Sequence, residues 1–244
     1  QRPDEAIPDS VEAAAARYAD AIEATQPAGP VAVAGHSYGA LLALEVARQL
    51  SSRGRVIAFL GLLDNAAPAD APVIQRDDCA WLDYIALRIG KLAQTPLPLP
   101  EGAGDYPARL AALIERMVAA RLLPAGVGPE TLARFVDIYR ANAAAAGRYR
   151  PGRLAAPVPA TLFLAASDDP DLERDDAHGA EPARGWARLL AAPVLIARGT
   201  QPRMNANEVM TIGRKRRRAA SSAASIADSP SSRFITANST IRMA

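Results

Sequence analysis

The run Gly35-His36-Ser37-Tyr38-Gly39 is a Gly-x-Ser-x-Gly pattern. It sets a serine on a sharp strand-to-helix turn, where the hydroxyl stands clear of a sheet edge as a nucleophile. The glycines leave room for the strained backbone and for the close passage of neighbouring chain. The flanks supply the required context. Val31-Ala32-Val33-Ala34 reads as a short buried strand after the turn residues Ala28-Gly29-Pro30. Ala40 to Leu50 reads as a helix with Leu42, Val46 and Leu50 on one face. The bland alternative for Ser37 is an ordinary helix cap in a tight turn.

The next element is Val56 to Leu63, almost wholly apolar, as expected of a parallel strand covered on both faces. It stops at Asp64-Asn65, with Pro68 soon after. Two such strands joined by a helix make one right-handed crossover. Upstream, Arg2 to Pro8 reads as a loop. Asp9 and Glu12 are spaced as a helix cap and its reciprocal partner, and the helix they open carries Val11, Ala14, Tyr18 and Ile22 on one stripe.

From about Arg76 to Arg150 only helical periods occur. Trp81, Ile85, Ile89 and Leu92 make one stripe. Leu110, Leu113, Ile114 and Met117 make a second after the Pro-rich break Thr95 to Pro107, and Leu132, Phe135, Val136 and Tyr139 make a third after Pro129-Glu130. An all-helical insertion between two sheet segments is a candidate lid. The sheet resumes at Thr161–Ala166 and again at Pro193–Ala197, with an acidic loop, Asp168 to Asp176, and then His178 between them. A last helix is expected over Asn205 to about Lys215. The aperiodic, Ser/Ala-rich remainder is expected to be disordered. The division is thus 1–75 core with the elbow, 76–150 lid, 151–214 remaining core and 215–244 tail. The basic run Lys215 to Arg218 reads as a solvated tail rather than a nucleic-acid patch.

Composition fits this α/β reading. Half of the 244 residues are apolar, and no run reaches the ~18 apolar residues of a membrane span. A formal charge of +2 is close to balance and argues neither for nor against a nucleic-acid partner, and none is expected. The single cysteine, Cys79, allows no internal disulfide and too few thiolates for a structural zinc site. Gln1 in place of Met suggests a domain within a longer chain.

The residues from Gly29-Pro30 through Gly35-His36-Ser37-Tyr38-Gly39-Ala40, then Leu44 to Leu50, then Leu62-Leu63-Asp64, resemble the terminal thioesterase domains of non-ribosomal peptide and polyketide synthases. The likeness covers roughly Glu5 to Arg214. It implies an α/β-hydrolase with a mostly parallel sheet, flanking helices and a helical lid, located in the cytoplasm. It further implies Ser37 as nucleophile, Asp64 as triad acid and the Tyr38 backbone N–H as an oxyanion donor. A strand-ending turn residue is the other reading of Asp64, and His36 reads as an elbow filler. No cofactor or metal is expected in the domain. The substrate would be an acyl thioester on the phosphopantetheine of a partner acyl or peptidyl carrier domain.

Two departures qualify the likeness. The family keeps its catalytic histidine in a Gly-Thr-His or Gly-Asp-His turn after the last strand, and here that turn reads Gly199-Thr200-Gln201. A glutamine amide has no basic site near neutral pH. Loss of one triad member can cost about a million-fold in turnover. His178 is the one other candidate base. The family's first strands and the Gly-rich loop with its second oxyanion N–H also precede the part matched here. An impaired thioesterase is therefore expected, and a non-catalytic carrier-docking or structural module is the alternative.

Overall fold

Ser10, not Asp9, opens the first helix. Its side chain accepts a hydrogen bond from the Ala13 N–H at 3.2 Å, so the capping role falls one residue later than the sequence spacing suggests. Helix α1 (Val11–Thr25) buries Val11, Ala14 and Ile22, and leaves Tyr18 half-buried. The computed structural model describes residues 5–68, 76–99, 104–166, 183–200 and 235–236.

Strand β1 (Val31–His36) leads through Ser37 into helix α2 (Tyr38–Ser52), and the chain returns as β2 (Ile57–Leu63). All residues of α2 from Gly39 to Ala47 are buried, not a single stripe, because α1 covers the side that faces away from the sheet. Three lid helices follow: α3 (Asp78–Leu92), α4 (Tyr106–Ala119) and α5 (Pro129–Arg148). Asp77 and Asp105 cap α3 and α4 by accepting from the Ala80 and Ala108 N–H groups. Strand β3 (Ala160–Ala166), a short 3-10 turn at Trp186–Arg188 and strand β4 (Val194–Thr200) complete the core. β4 therefore runs on through Gly199-Thr200, which the sequence placed in a turn. The acidic loop, His178 and the segment Asn205 to Lys215 lie outside the described residues.

The sheet order is β4-β3-β2-β1-β5, where β5 is Ile235–Thr236, and every pairing is parallel. This two-residue strand corrects the expectation that the whole tail lacks structure. The free edge of β1 offers backbone donors and acceptors at Val33 and Ala34, and a β-branched pair suits such a position. The rest of 215–244 lies outside the described residues.

Register explains which side of the sheet is dry. In a parallel ladder, paired residues share a face. Val33, Leu60 and Ala160 form one buried row, and Gly35, Leu62 and Leu162 the next. Their β1 and β2 members pack against α2, and Ala160 and Leu162 join the same apolar core. The alternate rows are less covered: Ala34, Gly61 and Thr161 continue to Leu195, which is 69% exposed, and His36, Leu63 and Phe163 continue to Ala197. The expectation of full cover on both faces of β2 thus holds for one face only among the described residues.

Two apolar cores result. One joins α1, α2 and the sheet with Leu154, Trp186, Leu189 and Leu190. The other lies within the lid, around Leu82, Ile85, Leu113 and Val136, and carries an aromatic group in which Trp81, Tyr84 and Tyr139 meet edge to face. Helix α5 belongs to both: Leu132 and Val136 sit in the lid core, Ala145 and the following Tyr149 in the main one.

The Tyr149 hydroxyl donates to Glu45 Oε2 at 2.9 Å, and Glu45 is fully buried in α2. Arg48 donates to both carboxylate oxygens at 2.7 and 2.6 Å, and Gln49 adds a bond of 2.8 Å. Burial alone would raise the Glu45 carboxyl pKa, but these three donors outweigh it and hold the group below its ordinary value. Burial, and then the Glu45 charge, push the Tyr149 phenol well up, so it stays a donor. A carboxyl with a depressed folded value stabilises fully above its unfolded value of 4.5, and that contribution is lost as pH falls below it. Glu45→Gln is therefore expected to cost about 2 kcal/mol at neutral pH and to flatten the loss of stability between about pH 5 and 3, as read by urea unfolding across that range.

Candidate active site

The parallel register brings the two chemistry-bearing strand ends together. His36 pairs with Leu63, so the next residues, Ser37 and Asp64, leave adjacent strands at the same carboxyl edge of the sheet. Ligands of open α/β sheets bind outside this edge.

Ser37 has φ 53° and ψ −125°, a conformation that L-residues rarely adopt and that costs on the order of 1–3 kcal/mol. It stands at the N-terminus of α2 but makes no side-chain capping bond. The capping alternative is thereby overturned: the hydroxyl is not committed to the helix. What holds the turn is backbone. The Ser37 N–H donates to the Leu63 carbonyl at 2.9 Å, and the Ser37 carbonyl accepts from the Ala40 N–H at 2.8 Å. Gly35 makes the turn possible, because a Cβ there would lie 1.8 Å from the Gly39 carbonyl oxygen and 2.2 Å from its carbon.

Asp64 also has positive φ, at 50°, and its N–H donates to the Phe163 carbonyl at 2.7 Å. It does end the strand, and in doing so fixes its own position relative to β3. Asn65, which the sequence reading passed over as punctuation, sends its side-chain Nδ2 to the Ser37 carbonyl at 2.8 Å. The Asn65 carbonyl accepts from the Trp186 indole N–H at 2.9 Å, and the Ala67 N–H donates to the Arg184 carbonyl at 2.8 Å. The Arg188 guanidinium donates to the Pro68 carbonyl. The turn at 183–188 thus pins the loop after β2 from outside. Nothing in the spacing of Asn65 or Trp186 signals this; both bonds depend on tertiary placement.

The Tyr38 side chain packs against the main core. Burial, and then the charges of Tyr18 and Glu12 nearby, pushes its phenol up to about 12, so the hydroxyl stays protonated at neutral pH. As the first residue of α2, its N–H has no partner one turn back and lies at the positive end of the helix dipole. His36 is exposed on the less covered face of the sheet. Gln201 and His178 lie outside the described residues; β4 ends at Thr200, with its carboxyl end on the edge that carries Ser37 and Asp64. Among the described residues no group of acidic, His or Cys side chains could hold a metal.

A serine elbow between a parallel strand and its helix, with an acid ending the next strand, defines an α/β-hydrolase-type architecture. The family model of the thioesterase domain matches residues 1–212, and the chain belongs to that family. A nonribosomal peptide synthetase of Aspergillus terreus (strain NIH 2624 / FGSC A1156), btyA, is 31% identical over 154 residues, covering 58% of this chain and 16% of that protein. Atromentin synthetase invA5 of Paxillus involutus is 32% identical over 144 residues, 55% of this chain and 14% of the synthetase. The chain therefore spans less than a fifth of these relatives. The Vlm2 thioesterase domain shares the fold with a TM-score of 0.52 at 18% identity, over 87% of this chain and 76% of that domain.

The Gly35 geometry gives a direct check of the elbow. Gly35→Ala forces backbone apart and is expected to cost more than ~3 kcal/mol, or to abolish cooperative unfolding. Gly152→Ala, with nothing within 4 Å of its Cβ, should stay within about 0.5 kcal/mol by the same denaturant titration.

Proposed function

We propose that this domain is a serine thioesterase that releases an acyl, peptidyl or polyketide chain from a carrier domain, and that Gln201 impairs it. The observation that carries the reading is the Ser37 turn: a strained nucleophile position, free of any capping role, beside Asp64 at one sheet edge. Ser37 Oγ attacks the thioester carbonyl, the C–S bond breaks, and the pantetheine thiol leaves with a proton. Water or a nucleophile within the chain then takes the acyl group from Ser37. The Tyr38 N–H stabilises the oxyanion of each tetrahedral intermediate.

Both transfers need a base to take the proton from the attacking hydroxyl, and the family's histidine position holds Gln201. The phosphopantetheine belongs to the partner carrier and enters as substrate. The match to multidomain synthetases supports such a carrier as the natural partner. No described helix is long and apolar enough to cross a membrane; the proposed site of action is beside a synthetase in the cytoplasm. The same glutamine favours a second reading, a docking module that binds a carrier without chemistry.

The decisive assay follows acyl-pantetheine cleavage by the protein with Gln201→His. The unchanged protein should give little turnover, since the triad groups act as a unit. The Gln201→His protein should give cleavage that Ser37→Ala abolishes and Asp64→Asn lowers by about 10⁴-fold. A folded Gln201→His protein that binds a carrier domain yet cleaves nothing would establish the docking reading instead.

A further inference from the structure

We infer that Asn65 is a positioning residue for the oxyanion site, acting through the peptide unit between Ser37 and Tyr38; this rests on the thioesterase reading above. The Ser37 carbonyl and the Tyr38 N–H belong to one planar trans peptide, so they point in opposite directions. Whatever fixes the carbonyl aims the N–H. The Asn65 Nδ2 donates to that carbonyl at 2.8 Å, alongside the Ala40 N–H. Donation to a carbonyl also polarises the peptide and makes its N–H a stronger donor.

The placement of Asn65 adds a second effect. The Ser37 N–H is held by the Leu63 carbonyl and the Ser37 carbonyl by the Asn65 side chain. Ser37 is thereby gripped on both sides by the residues that flank Asp64, and the nucleophile and its proposed acid cannot drift apart along the strand axis. Asn65 is itself fixed, because its carbonyl accepts from the Trp186 indole and Trp186 is fully buried. An amide suits the position: it donates without adding charge beside Asp64.

The test has two arms. In the full chain as it stands, Asn65→Ala and Asn65→Leu should move the Ser37 carbonyl carbon and the Tyr38 amide proton resonances upfield, while Asn65→Gln moves them less. Thermal midpoints should shift by only a few degrees, as for one partly exposed hydrogen bond. Unmoved resonances would overturn the assignment. In the protein with Gln201→His, Asn65→Ala should lower kcat about tenfold with KM within about twofold, because an oxyanion donor acts in the transition state. A raised KM at unchanged kcat would overturn it too. If that protein shows no Ser37-dependent turnover, the thioesterase reading falls, and the two resonances alone then decide whether Asn65 orients this peptide.

Discussion

The site depends on one close approach: the chain at Gly35 passes so near the Gly39 carbonyl that a single methyl group would not fit. That contact lets β1 turn into α2 within one residue, and the turn is what forces Ser37 to positive φ. The strain is over-determined rather than merely tolerated. Leu63, Ala40 and Asn65 all hold the Ser37 backbone, and α2 behind it is sealed by α1 and the sheet. A stiff scaffold of this kind can keep the Ser37 hydroxyl in place without help from a bound molecule.

The lid is tied to that scaffold by chemistry of a different kind. A fully buried carboxylate is costly unless every oxygen is satisfied, and Glu45 meets this through Arg48, Gln49 and Tyr149. Removing the last leaves a buried acceptor short of a donor, so the end of α5 has one favoured seat. The N-terminal arm adds to it: Arg148 donates to the Asp9 carbonyl at 2.7 Å, and Arg134 donates to the Glu5 carbonyl. Directional bonds here set the orientation of a helix whose apolar contacts are divided between two cores.

Most of the architecture was legible because it follows from period and punctuation. The apolar runs ending at Ala34 and Leu63, the three stripes between Trp81 and Tyr139, and the Gly-x-Ser-x-Gly spacing are local signals, and each has its element in the structure, with β1 running two residues further to His36. The errors were also local. Ser10 and Asp9 are near-equal caps, and geometry chose the one whose oxygen reaches Ala13. Gly199-Thr200 looked like a turn but is held in β4 by pairing with Ala165 and Ala166. Asn65 and Trp186 were illegible for another reason: 121 residues separate them, and only the folded loop makes them partners.

The division of apolar contacts also bears on how such a domain can diversify. Leu82, Ile85, Leu113 and Val136 hold α3, α4 and α5 to one another in a core separate from the one that joins α1, α2 and the sheet. Substitutions among them alter the packing between these helices while the core around α2 keeps its own contacts. The reverse is not true of α2, where almost every residue is shared with the sheet or with α1. Residues 78–140 can therefore vary more freely than α2, provided that Tyr149 keeps its hydroxyl on Glu45.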